Sequence, residues 1–267
     1  MLGDQIPAVG LGTYGLTGND GLSSVKSAIL LGYRHLDTAQ TYGTEENAGQ
    51  AVRESELPRG SFFITTKITA KNLGRIRQSI RESLILMGLD HADLVLIHWP
   101  APYDEVSVRS YIGDLARAQD EGLCKLIGVS NFTRRHLDEA LAEIGENRLA
   151  TNQFEQHVYL QNRVLEDHCM SANIRVTAYM PLAGGNVSDD AVLNAVAQKH
   201  GVAASQVALA FLLNRGSIII PKSGSRARQQ SNLAAKSVKL DAQDLEAIAG
   251  LDCGRRYINP EWGPAWD

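Results

Sequence analysis

The sequence predicts an α/β fold, a closed parallel (β/α)8 or TIM barrel, forming a single domain over residues 1–267. Three observations predict it. Short apolar runs alternate with segments of helical period from end to end, eight of each, and no Pro/Gly/Ser-rich linker or low-complexity tract interrupts them. Parallel neighbours need crossover helices, and those helices cover the outer face of the sheet, so a strand–helix unit repeated eight times closes into a barrel. The length of 267 residues also matches one such barrel, which typically takes about 250.

The elements follow in order. VGLGT (9–13) is the first strand, and a helical pattern over 22–31 follows it. YRHLDTA (33–39) precedes a helix over 45–54. FFITTKI (62–68) precedes 74–87, where Ile76, Ile80, Leu84 and Met87 share one face and Gly88 ends the run. DLVLIHW (93–99) precedes 107–121. KLIGVSN (125–131) precedes 133–144, with Thr133 as cap, a stripe of Leu137, Ala140, Leu141 and Ile144, and Gly145 expected in the left-handed conformation. ATNQFE (150–155) precedes 162–171, IRVTAYM (174–180) precedes 189–213 with a break at Gly201, and SIIIPKS (217–223) precedes 226–235. A further helix over 241–250, opening at Asp241, is expected to pack outside the barrel. The tail 251–267, carrying Tyr257, Trp262 and Trp266, is expected to fold back near the active-site mouth.

Composition narrows the function. With 26 Lys+Arg against 30 Asp+Glu, the chain has no field for wrapping nucleic acid or coating an anionic membrane, so any anion site is local. The first dozen residues lack a basic and apolar leader, and no run of about 18 apolar residues spans a bilayer. Cys124, Cys169 and Cys253 are odd in number and never in CxxC, and the seven His are scattered without HExxH. These features predict reduced thiols, no metal site and a cytoplasmic protein.

Gly10, Gly12 and Gly15 spell GxGxxG, and Asp37 lies 22 residues beyond the last glycine, as in a dinucleotide-binding fingerprint. That fingerprint needs a helix opening within the motif. The LTGNDG that follows Gly15 is read as breaking any helix until about residue 22, so the glycines are assigned to a tight turn at the first barrel strand.

Chemistry in a barrel sits at the carboxyl ends of the strands. Successive strands here end in Asp37, Lys67, His98, Ser130-Asn131, Gln153, Tyr179 and Lys222-Ser223, and the first intervals are 30, 31 and 32 residues, about one strand–helix unit each. Tyr42 follows Asp37 on the same loop. Singly, each has a structural explanation: a snorkelling Lys67, a satisfied core His98, a packed Tyr42, a capping Asp37. Independent structural roles do not place a Tyr, a Lys, an Asp and a His together at one rim.

Together they suit protonation of a carbonyl oxygen. A tyrosine with an ordinary pKa near 10 is a poor acid, and an adjacent ammonium from Lys67 eases proton release. Asp37 would keep Lys67 charged, and His98 would orient the substrate oxygen. No side chain delivers hydride, so a nicotinamide cofactor is implied, with Ser130, Asn131 and Gln153 matching its carboxamide and Tyr179 stacking on its ring. At the other end of the chain, Lys222, Ser223, Arg226 and Arg228 gather at a strand end and helix start, which suits a monophosphate such as the 2′-phosphate of NADP.

The motifs GYRHLDTAQTYGTEENAG, FFITTKI, LVLIHWP, IGVSNF, ATNQFE, VTAYMPL and IIIPKS resemble the aldo-keto reductase family over nearly the whole chain. The resemblance implies an NADPH-dependent carbonyl reductase and a monomer. It makes Tyr42 the proton donor, supported by Lys67 and Asp37, with His98 orienting the carbonyl. It also carries Ser130, Asn131, Gln153 and Tyr179 to the nicotinamide, Lys222, Ser223 and Arg228 to the 2′-phosphate, and Asn232 to the adenine. HWPAPYDEVSV, YLQNR and the short ending look most like a branch that reduces small dicarbonyls such as methylglyoxal and 2,5-diketo-D-gluconate.

Three positions depart from the common family pattern: Ser231 in place of a Glu, Gly224 in place of a bulkier residue, and Val158 in place of a Pro. The substrate pocket is assigned to Tyr14, Trp99 and the 100–106 loop. A competing reading is an NADPH-binding redox sensor with little turnover, which the intact tetrad disfavours. An isomerase or lyase on the same barrel is disfavoured because no phosphate-handling glycine loop is read after the seventh or eighth strand.

Overall fold

The computed structural model describes residues 1–267. Eight strands pair in parallel in chain order: β1 (Gly10–Gly12), β2 (His35–Asp37), β3 (Phe63–Ile68), β4 (Ala92–Ile97), β5 (Cys124–Ser130), β6 (Leu149–Glu155), β7 (Arg175–Tyr179) and β8 (Ile218–Ile219). Parallel bridges Val9–Ile219 and Gly12–Lys222 bring β8 back to β1 and close the barrel. The strands at the seam are shorter than their apolar runs because pairing there reduces to single bridges; Pro221, which has no N–H, interrupts the ladder after β8.

Helices α1 (Gly18–Leu31), α2 (Glu45–Arg53), α3 (Ile76–Met87), α4 (Arg109–Asp120), α5 (Arg134–Ile144) and α6 (Arg163–Ser171) each follow the strand of the same number. Two helices, α7 (Ala191–His200) and α8 (Ala204–Asn214), separate β7 from β8, and α9 (Arg226–Ala234) and α10 (Ala242–Ala249) come last. The single pattern over 189–213 divides because Asp190 caps α7 through Val192 N and Leu193 N, and Gly201 ends it at φ 64°. Gly145 departs from expectation. Its φ is positive, but ψ is 162°, a region open to glycine rather than a left-handed helix cap.

Strand alternation sorts the core into two layers. Val95 and Ile97 of β4 face the helices, whereas Leu94 and Leu96 join Leu126, Ala150 and Ile218 inside the barrel. Ile6 packs with this inner group, next to a 3-10 turn over Leu2–Gln5, and together they stop the amino-terminal end. Chemistry is thereby left to the carboxyl end. No helix is long and apolar enough to cross a membrane.

The GxGxxG glycines correct the sequence reading in one respect. Gly10 and Gly12 lie within β1, not in a turn: a Cβ on Gly10 would press into the His35 ring, and one on Gly12 would stand 2.7 Å from Ile220 O. Only Gly15, at φ 75°, turns the chain. Helix α1 also starts at Gly18, earlier than the sequence suggests, yet still beyond the motif.

Candidate active site

Asp37, Lys67, Ser130, Gln153 and Tyr179 share the inward parity of their strands, and His98 continues the inward parity of Leu94 and Leu96. The eightfold repeat thus delivers residues from six strands to one mouth. Lys67 is fully buried; its ammonium pairs with Asp37 Oδ1 and donates to Thr38 O at 2.9 Å. The other Asp37 oxygen accepts from Gln153 Nε2 at 2.8 Å. Both carboxylate oxygens are therefore fixed.

Tyr42 stands above this pair on the β2–α2 loop. Its ring centroid is 4.8 Å from Lys67 Nζ, and its hydroxyl is 3.4 Å from His98 Nε2. Tyr14, 68% exposed, packs edge-on against Tyr42 at 5.1 Å and forms one lip of the mouth. Trp99 forms the other, edge-on to Trp262 at 5.1 Å and to Trp266 at 6.0 Å, so the tail lies against the mouth.

Charge states follow from burial and neighbours. Burial pushes the Tyr42 phenol above its usual range, and the nearby Lys67 charge only partly offsets this. The hydroxyl accordingly holds its proton at neutral pH. Burial alone would lower Lys67, but Asp37 and Tyr42 outweigh it and keep the ammonium above its ordinary range. Burial, reinforced by Lys67, drives His98 down to about 3, leaving a neutral imidazole.

The residues matched to the nicotinamide lie beside this group. Ser130 Oγ donates to Gln153 O at 2.7 Å, and Asn131 Nδ2 donates to His98 O at 3.0 Å. Asn131 holds φ 61°, a left-handed backbone that asparagine tolerates better than most residues, and its Oδ1 accepts from Tyr179 Oη at 2.9 Å. These groups form one hydrogen-bonded rim from β4 to β7. Ser223 is buried just before α9 and Asn232 in its last turn, while Lys222 and Arg228 are exposed near its start. Neither cation enters any of the chain's ion pairs.

The family model for the aldo/keto reductase family matches residues 8–252. The chain belongs to the aldo/keto reductase family. Methylglyoxal reductase DkgB of Escherichia coli O157:H7 is 45% identical over 98% of this chain and 99% of its own length. Methylglyoxal reductase DkgA of Salmonella typhimurium is 36% identical over 95% and 92%. Among solved structures, a putative 2,5-diketo-D-gluconic acid reductase B superposes with a TM-score of 0.93 at 34% identity, covering 98% of this chain and 94% of that one. This aldo/keto reductase is an oxidoreductase acting on carbonyl groups.

Several features of this reductase lie outside the sequence patterns that predict its site. Thr38 O is the second partner of Lys67, and Gln153, matched to the cofactor, also holds Asp37. Glu45 of α2 is buried and accepts from Thr66 Oγ1 at 2.5 Å, one residue from Lys67. The β7–α7 segment carries a turn with positive φ at Met180, Ala183, Gly184 and Gly185, where no phosphate-handling glycine loop is expected from the sequence. The Gly-Gly pair of PLAGG was the available signal.

Proposed function

We propose that this aldo/keto reductase reduces small dicarbonyls, methylglyoxal and 2,5-diketo-D-gluconate among them, to alcohols with NADPH, Tyr42 acting as proton donor. The observation that carries the reading is the protonated Tyr42 hydroxyl held 3.4 Å from a neutral His98, above the Lys67–Asp37 pair. The names of the relatives supply the substrate class.

The chain's residues fit the cofactor. Ser130, Asn131 and Gln153 are polar, buried and adjacent, with the hydroxyl and amide chemistry a carboxamide needs, and Tyr179 offers a ring beside them. Lys222 and Arg228, free of ion pairs, have their charge available for a 2′-phosphate near Ser223 and the start of α9, and Asn232 is assigned to the adenine. Bound NADPH supplies the hydride.

The remaining chemistry belongs to side chains. A carbonyl oxygen entering between Tyr42 and His98 accepts a hydrogen bond from each, which polarises the carbonyl and fixes its orientation. Because His98 is neutral, its Nε2–H orients the oxygen without protonating it. As negative charge grows on that oxygen, the Tyr42 proton moves to it, and Lys67 stabilises the phenolate left behind. Asp37 keeps Lys67 charged, and Gln153 keeps Asp37 from turning away. Tyr14 and Trp99 wall the pocket around this polar corner.

All the residues assigned lie on one chain, so a monomer suffices. Two buried and one exposed free cysteine suit the reducing cytoplasm. The test is the initial rate of loss of the nicotinamide absorbance with methylglyoxal or 2,5-diketo-D-gluconate, NADPH against NADH. Rapid turnover preferring NADPH is expected; tight NADPH binding with no turnover of either dicarbonyl would overturn the substrate assignment.

A further inference from the structure

Helix α2 opens directly after the Tyr42 loop, and its first residue is preceded by Thr44 in the capping position. A threonine there ordinarily turns its hydroxyl onto a free N–H of the first turn. Thr44 makes no such cap. Its hydroxyl points inward, 2.9 Å from Thr13 Oγ1 and 2.8 Å from Thr38 Oγ1, and all three threonines are fully buried.

Each hydroxyl has one proton, which fixes the direction of the chain. Thr13 Oγ1 donates to Asp37 O at 3.0 Å, so it accepts from Thr44; Thr44 has then spent its proton and accepts from Thr38. The result is a one-way relay, Thr38 to Thr44 to Thr13 to the Asp37 carbonyl. It joins the end of β1, the end of β2 and the start of α2. Its far end lies on the backbone of the residue that pairs with Lys67, and Thr38 O receives the Lys67 ammonium. Tyr42 lies inside the span so tied, between Thr38 and Thr44, its N–H closing a turn onto Ala39 O.

We propose that Thr44 is a positioning residue: by giving up its helix cap to bridge Thr13 and Thr38, it fixes the Tyr42 loop over Lys67 and against His98. The proposal rests on Tyr42 being the proton donor. Buried hydroxyls have no water to fall back on, so removing the middle one leaves Thr38 without its acceptor and Thr13 without its donor. The loop then loses its tie on the α2 side of Tyr42, whereas the cofactor-side residues Ser130, Asn131 and Gln153, which have their own partners, keep theirs. A fault of this kind lowers the chemical step more than binding.

The experiment compares wild type, Thr44→Val and Thr44→Ser, using methylglyoxal and NADPH. Val keeps the shape and removes the hydroxyl; Ser keeps the hydroxyl. Thr44→Val is expected to lower kcat by about tenfold or more, with KM and the NADPH Kd within about twofold, and Thr44→Ser to recover most of the loss. Unchanged kcat in Thr44→Val, or equal losses in kcat, KM and Kd that Ser does not rescue, would overturn the proposal.

A second readout does not depend on turnover. The ultraviolet titration of Tyr42, taken as the difference from the matching Tyr42→Phe protein, is expected to shift in Thr44→Val and not in Thr44→Ser. If the wild type reduces no carbonyl, the functional reading fails while this titration still decides the positioning role, and an unshifted curve refutes it. Should Thr44→Val not fold, Thr38→Val breaks the same relay at its first link and is read in the same way.

Discussion

Tyr42 and His98 owe their states to opposite consequences of one burial. A phenol is neutral when protonated and an imidazole when deprotonated, so loss of water favours the proton on Tyr42 and removes it from His98. Tyr42→Phe is therefore expected to reduce kcat by at least about a hundredfold while leaving NADPH binding, followed by fluorescence quenching, near wild type. His98 also links stability to pH. In the fold it stays neutral down to about 3, against an ordinary value of 6.5. Between these values the unfolded chain binds the extra proton, so stability falls as pH drops through the window. His98→Gln is expected to lose less stability than wild type between about pH 7 and pH 4, measured by urea midpoints. The gathering of Asp37, Lys67 and His98 at one rim was legible from strand-end spacing, because the three fall one repeat apart, with Tyr42 on the loop that follows Asp37. Thr38, Thr44 and Glu45 were not, since hydroxyls and carboxylates near helix starts read equally well as caps.

At the scale of elements, most helices were legible because their apolar stripes and terminal glycines agree. Where they were not, close approach decided. Gly49 looks unfavourable inside α2, yet a Cβ there would stand 1.9 Å from Met87 O at the end of α3. Gly49→Ala is expected to destabilise the protein by about 1–3 kcal/mol in chemical denaturation, although alanine is the better helix former. The sequence places the start of α1 late for a similar reason: the glycines that weaken its first turn include Gly21, whose missing Cβ makes room for Leu16 O. The start of α9 carries the proposed 2′-phosphate site. Arg228 is exposed and free of ion pairs, so Arg228→Ala is expected to raise the KM for NADPH by about tenfold and to leave NADH little changed. Equal effects on both would remove the 2′-phosphate assignment.

On the scale of the whole molecule, the tail is fastened to the barrel by a group the sequence did not mark. Glu155, at the carboxyl end of β6, is fully buried, and its two oxygens accept from Tyr257 N and Ile258 N at 2.8 Å each. His157 adds a contact to the same carboxylate at 3.0 Å. Further along, Trp262 O accepts from Tyr103 N, Arg256 lies 3.8 Å over the Trp266 ring, and Asp267 pairs with Arg134 at the start of α5. Glu155→Gln turns one of the two acceptors into a donor facing an N–H. The tail is expected to loosen, with faster tryptic cleavage after Arg256 and altered tryptophan emission, while the melting of the barrel shifts little.

The barrel, its single domain and the meeting of Asp37, Lys67 and His98 at one rim can be read from the chain alone, because they depend on periodicity and on spacing. The sequence also carried the family, through motifs that lie on consecutive strands. The folded structure was needed to show which hydroxyl bonds which, that Gln153 serves Asp37, that Gly10 and Gly12 are spaces rather than turns, that Gly49 makes room for Met87 O, and that Glu155 holds the tail. Each of these depends on a distance between residues far apart in the chain, and such a distance exists only once the barrel has closed.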